Sequence, residues 1–373
     1  MIYLDYSANT PADPDVLRTF IETEQKYTGN PNSNHPAGIA ARNEMEKVTD
    51  SVAKALGILP SEMILTSGAS EANNLAIKGI AHTQRHFGKH IVSTPLEHPS
   101  VSGPLTYLQE RGYEIDLVKI GRDGKIDLED LRRLIRDDTV LVSVNAVDSE
   151  LGVIQPLNEA AKEVRKHPNC RLHIDATQAI GKIPFSFDNA DTVSIAAHKF
   201  YGLNGSGMLF KRSGIILEPL IHGGSGVSLY RSGTPTLGLA AALDAALRLS
   251  LASLKGRNDH VSMLNTRLRS ELKKYPKVRI NSPDDAVPHI LNLSVEGVKG
   301  TRFQQKLAEH GVCVSVKSAC STDGTPSRAV LAVSSDRKNA LSSWRISLSY
   351  LTSEKELSEF LEIFDICYGE LTL

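Results

Sequence analysis

Between about residues 60 and 210, seven short apolar runs alternate with stretches of helical periodicity, and this alternation constrains the fold more than any other feature of the chain. The runs are "EMILTS", "KHIVST", "EIDLVKI", "TVLVSVNAV", "CRLHIDA", "DTVSIAA" and "SGMLFKR". The helical stretches between them include "SEANNLAIKGIAHTQ" and "LNEAAKEVRKH". Strands joined by crossover helices pair in parallel, so the region is expected to form an α/β unit around a mostly parallel sheet. After about residue 253 the pattern changes. "HVSMLNTRLRSELKKYP" reads as a helix, and "HILNLSVEG" alternates Leu291, Leu293 and Val295 against Asn292 and Ser294, which predicts a half-buried strand of an antiparallel sheet. In "TSEKELSEFLEIFDICYGEL", Ser353 and Glu356 stand at capping-box spacing and open a final helix.

At 373 residues the chain exceeds one small core, and two domains are expected. A net charge of -1 and the lack of any Lys/Arg-rich block argue against nucleic acid or an anionic membrane as partner, leaving small molecules and proteins. The four cysteines are scattered without a C-x-x-C pair, which supports neither a zinc site nor a disulfide framework and suits a reducing cytoplasm. "MIYLDYSANT" lacks the cationic and apolar regions of a secretory signal. The apolar stretch "LGLAAALDAALRLSLASL" contains Asp244 and Arg248 and reads as a buried helix rather than a membrane span. His82, His86 and His90 are spaced four apart; a solvated helix face explains them better than a metal site.

Several polar residues follow the apolar runs, at the edge where open α/β sheets bind ligands. Ser70 lies in "GASEANN", His98 in "PLEHPSV", Asp175 and Gln178 in "CRLHIDATQ", and His198 and Lys199 in "SIAAHKFYG". Each has an ordinary structural explanation alone: an N-cap, a hydrogen-bonded histidine, an ion pair. Together they supply what a pyridoxal-phosphate enzyme requires, namely a lysine, a carboxylate for the ring nitrogen and a helix start for the phosphate. Cys320, in "SVKSACSTDG", is a lone thiol among small and polar residues and by itself reads equally as loop filler.

In order along the chain, "YLDYSANTP", "GNPNSNH", "TSGASEANNLAIKG", "EHPSV", "ELGVIQP", "HIDATQAIGK", "AHKFYG", "YRSGTP", "KSAC" and "WRISLS" resemble the motifs of NifS/IscS-like cysteine desulfurases, a branch of the class-V aminotransferase group. The resemblance implies the fold-type-I architecture of pyridoxal-phosphate transferases. It implies a large domain over residues 13–252 with a mostly parallel seven-stranded sheet, and a smaller α+β domain from residues 1–12 and 253–373 that carries the catalytic-cysteine loop. It further implies a homodimer that turns L-cysteine into L-alanine and passes the sulfur, as a persulfide on Cys320, to an acceptor protein serving iron–sulfur cluster assembly or thiolation.

By the same resemblance Lys199 joins the cofactor and moves the α-proton, Asp175 faces the ring nitrogen, and His98 covers the ring and, as a catalytic residue, assists proton transfer. Gln178 and Ser149 meet the phenolic oxygen; Ala69, Ser70 and His198 hold the phosphate, with Thr234 reaching the phosphate of the neighbouring subunit. Arg345 holds the substrate carboxylate, joined by Asn9 and Asn30, and Cys320 is the nucleophile. Cys170, Cys313 and Cys367 are expected to be structural. Ser149 stands where the family has asparagine, Ala196 where a phosphate-binding serine is common, and Asn9 where threonine is usual. Other readings compatible with this pattern are a selenocysteine lyase or other β-elimination enzyme, and a weakly active sulfur-relay scaffold.

Overall fold

The computed structural model describes residues 1–224, 228–317 and 325–372. Its strands are β1 Ile2–Tyr3, β2 Met63–Thr66, β3 His90–Ser93, β4 Glu114–Leu117, β5 Thr139–Asn145, β6 Arg171–Asp175, β7 Thr192–Ala196, β8 Gly207–Lys211, β9 Val278–Ile280, β10 Ile290–Val295, β11 Val312–Cys313 and β12 Ser343–Ser347. Its helices are α1 Pro14–Lys26, α2 Pro36–Leu56, α3 Ala69–Gln84, α4 Pro99–Gln109, α5 Leu128–Leu134, α6 Leu157–Val164, α7 Leu237–Ala252, α8 Leu254–Leu272, α9 Gly300–Glu309, α10 Arg328–Ser334, α11 Arg337–Ser342 and α12 Glu354–Thr372.

All seven apolar runs pair into one sheet, in the order β2-β8-β7-β6-β5-β3-β4. The pairs β3–β4, β3–β5, β5–β6 and β6–β7 are parallel, as crossover helices dictate. β8 is antiparallel to both β7 and β2. No α-helix lies between β7 and β8, so the chain turns back directly beside the strand it has just left. β5 is buried along its whole length, Ser143 and Asn145 included. α3 packs across β5 to β8, and the apolar α7 is buried against α1 and α2. Among the described residues no single helix is long and apolar enough to cross a membrane.

A second apolar core gathers Ile2, Leu4, Leu264, Phe303, Trp344 and Phe364 around the three-stranded sheet β12-β10-β9 and the two-stranded pair β1–β11. The Ser353–Glu356 capping box forms: the Ser353 N–H donates to Glu356 Oε2 at 2.9 Å, and the Glu356 N–H donates to Ser353 Oγ at 3.1 Å. Two expectations need correction. β10 is antiparallel as predicted but buried on both faces: Asn281 covers its polar side, donating to Asn292 Oδ1 and to Ser294 Oγ, while Asn292 Nδ2 is buried without a partner among the described residues. His90 shares no helix face with His82 and His86: α3 ends at Gln84, and His90 sits buried in β3 between Thr139 and Asp116.

Candidate active site

A cavity of about 300 Å³ opens at the carboxyl edge of the large sheet. Five strands deliver residues to it: Ser67 to Ser70 follow β2, His98 follows β3, Ser149 follows β5, Asp175 ends β6, and His198 and Lys199 follow β7. Ser7 and Ala8, from the segment after β1, and Arg345, from β12, close the other side. The sheet edge therefore brings together Ala69, Ser70, His98, Ser149, Asp175, Gln178, His198, Lys199 and Arg345. Thr234 and Asn30 are exposed and outside the lining, as is the half-buried Asn9. Cys320 lies outside the described residues.

The Lys199 amine donates to the carbonyl oxygens of Ser7, at 2.7 Å, and Ala8, at 2.6 Å. Asp175 Oδ2 accepts from Asn73 Nδ2 at 2.8 Å, and its Oδ1 accepts from the Thr177 N–H at 3.0 Å. Gln178 Nε2 donates to the Ser7 carbonyl at 2.9 Å, while its Oε1 accepts from Lys182 Nζ at 2.7 Å. Burial, with Lys199 and Arg345 nearby, drives Lys182 well below the usual lysine range. Burial likewise lowers His198, to about 4, and also lowers His98, so both rings are neutral at neutral pH.

Arg345 is 1% exposed, and Asp5 and the Ser149 carbonyl hold its two terminal nitrogens at 2.9 Å and 2.6 Å. Its Nε is buried without a partner among the described residues, as are the hydroxyls of Ser7 and Thr177. Around the cavity such atoms are places where a bound acceptor or donor belongs. Gly68, which precedes α3, has a φ of +142° and no side chain to cap the helix, so the first-turn N–H groups and the positive end of the helix dipole face the cavity for an anion.

The segment that carries Cys320 is flanked by Lys317 and Thr325, and Lys317 Nζ donates to the Thr325 carbonyl at 2.9 Å. Both residues line a second cavity of about 410 Å³ that shares Leu96, His98 and Ser149 with the first. Cys170 and Cys367 are buried, which pushes their thiols up to about 12 and about 11, out of the nucleophilic range.

Asn73, Ser100, Lys182 and Asp5 also belong to the site, and the motif reading passed over them. Asn73 had a visible signal: it stands four residues from Ala69 and from Ile77, a polar side chain on the apolar stripe of α3. Asp5 lies within "YLDYSANTP", but nothing local points to its partner, 340 positions away.

A mostly parallel sheet whose carboxyl edge offers a lysine, a buried carboxylate and an uncapped helix start defines the fold-type-I pyridoxal-phosphate enzymes, and these residues fit that cofactor. Comparison with known proteins narrows the class. The chain belongs to the class-V aminotransferase family, whose profile matches residues 2–360 and whose members depend on pyridoxal phosphate. It is 35% identical to a protein described as a NifS/IcsS homologue from Lactobacillus delbrueckii subsp. bulgaricus, over 99% of this chain and 97% of that one. It is 34% identical to a protein named cysteine desulfurase IscS from Dictyoglomus turgidum, over 98% of this chain and 93% of that one. A solved structure titled NifS-like protein superposes with a TM-score of 0.93 at 34% identity, covering 99% of this chain and 100% of the other.

Proposed function

We propose that this protein is a pyridoxal-phosphate-dependent cysteine desulfurase that converts L-cysteine to L-alanine and holds the released sulfur as a persulfide on Cys320. The observation that carries the reading is one cavity lined by Lys199, Asp175, His98 and Arg345 in a chain that aligns end to end with a protein named cysteine desulfurase.

Bound pyridoxal phosphate supplies the electron sink that makes an amino acid's α-proton removable. Lys199 would be its covalent anchor and its amine would carry the α-proton. Asp175 would meet the ring nitrogen and His98 would cover the ring. Gln178 has its amide oxygen engaged by Lys182 and one hydrogen on Ser7, which leaves a second Nε2 hydrogen for the phenolic oxygen, next to Ser149. The open start of α3, with Ala69 and Ser70, and the neutral His198 hold the phosphate. Arg345, pinned by Asp5, offers its guanidinium to the substrate carboxylate, with Asn9 and Asn30 as outer neighbours. The Cys320 thiolate attacks the substrate sulfur: an S–S bond forms, the C–S bond breaks, and its electron pair stays with the substrate carbon, which is protonated to the methyl group of alanine.

The reading includes a domain division into 13–252 and 1–12 with 253–373, supported by the second apolar core, which draws only on the latter residues. It also includes a homodimer in which Thr234 serves the partner's phosphate. In support, Thr234 is exposed, as are Ile216 (65%) and Leu229 (74%). A protein acceptor for the sulfur and a cytoplasmic setting complete it; Cys170, Cys313 and Cys367 are all free thiols.

The test is steady-state release of alanine from cysteine and from selenocysteine, with a reductant, by the cofactor-loaded protein and by Lys199→Ala. Turnover of cysteine that vanishes in the variant is expected. Turnover of selenocysteine alone would instead indicate a lyase, and none with either substrate a relay scaffold.

A further inference from the structure

We propose that Asn73 is a positioning residue whose single amide holds both the Asp175 carboxylate and the Ser100 hydroxyl that bonds His98. The proposal rests on the pyridoxal-phosphate reading of the site. Asn73 lies mid-helix in α3 at 0% exposure, and a buried amide is tolerable only when its donors and acceptor are engaged. All are engaged at short distances: Nδ2 donates to Asp175 Oδ2 at 2.8 Å and to Ser100 Oγ at 2.9 Å, while Oδ1 faces His173 Nε2 at 2.9 Å.

The chemistry of the partners fixes every proton in this network. The Asp175 carboxylate can only accept, so the Asn73 nitrogen must face it and the Asn73 oxygen must face His173. His173 therefore carries its proton on Nε2, and its Nδ1 accepts from the Thr192 hydroxyl at 2.9 Å. Burial lowers His173 and keeps that ring neutral. On the other arm Ser100 Oγ accepts from Asn73, so its own hydrogen is directed to His98 Nδ1 at 2.8 Å. The Ser100 N–H donates to the same Nδ1 at 3.1 Å. His98 Nδ1 is thus a double acceptor and the ring proton is on Nε2. His98 meets the cavity as a proton donor, and removal of the α-proton is left to Lys199. One helix residue therefore couples the carboxylate under the cofactor's ring nitrogen to the ring that covers it.

Asn73→Asp keeps the shape and the His173 contact but replaces the donor by an acceptor. Two carboxylates in contact cannot both ionise, so Asp175 loses its full charge. With ¹⁵N-labelled pyridoxal phosphate in the loaded enzyme, the ring-nitrogen resonance should move from the protonated toward the unprotonated position. kcat should fall roughly 10–100-fold, the range seen when outer partners of metal ligands are removed, with a much smaller change in KM. Ser100→Ala cuts only the His98 arm; it should leave the ring-nitrogen resonance in place and lower kcat about fivefold. Asn73→Ser, too short to reach both partners, gives the same readout should the Asp variant fail to accumulate. A parental resonance and kcat in the Asn73 variants would overturn the proposal, as would a Ser100→Ala shift as large as theirs. A parent that retains the cofactor but makes no alanine would overturn the desulfurase reading alone, because the resonance still reports on Asn73.

Discussion

Glu97 and Asp148 are carboxyl groups buried beside the cavity, and burial pushes them up to about 8 and about 7. Glu97 Oε1 accepts from Thr94 Oγ1 and from the Asn145 N–H, each at 2.8 Å, while Oε2 is buried without a partner among the described residues. Asp148 accepts from the backbone N–H groups of Glu150 and Leu151. Both pKa values lie above those of the unfolded chain, near 4, so the folded state holds more protons between about pH 4 and pH 8. The stability these groups contribute is full below about pH 4 and is lost as pH rises through their folded values. Glu97→Gln should therefore unfold at a temperature that rises relative to the parent as pH goes from 5 to 9. Parallel melting curves across that range would refute a neutral buried Glu97.

At the scale of elements, Gly207 of β8 fixes how closely the sheet approaches the start of α3. An added Cβ would lie 2.5 Å from the Ile195 carbonyl oxygen and 2.6 Å from Gly68 Cα, both backbone atoms that cannot yield cheaply. Gly207→Ala should cost about 1–3 kcal/mol in denaturant unfolding and speed cofactor loss, because it displaces the phosphate end of the site. Unchanged stability and retention would contradict this account of the strand. The inner strands β3, β5, β6, β7 and β8 were legible because strands buried on both faces are apolar runs, the edge strands β2 and β4 stood out by their place in the strand–helix alternation although they are only partly buried, and the strand-end site residues were legible because they come at or soon after such a run. Pairings without a local pattern were not. β1 and β11 are two residues long and join positions 310 apart, as the register of Ile2 with Val312 requires, and nothing near Ser7 or Asp5 announces Lys199 or Arg345. The second polar face of β10 looked solvated because its cover, the Asn281–Asn292–Ser294 network, comes from separate segments.

At the scale of the molecule, the large sheet builds most of the proposed cofactor site, while Arg345 and the flanks of the Cys320 segment reach the same edge from the side of the second core. The proposed homodimer should sediment as a dimer, and Thr234→Ala should lose cofactor faster while remaining dimeric; a monomer with full cofactor retention would contradict that arrangement. The central claim is that sulfur passes from cysteine to Cys320, and it is tested most directly by a single turnover followed by peptide mass spectrometry. The account predicts one added sulfur on the Cys320 peptide in equal amount to alanine formed, and a Cys320→Ser variant that still binds cofactor and cysteine but forms no alanine. Added sulfur found only on Cys170, Cys313 or Cys367, with Cys320→Ser still fully active, would contradict it.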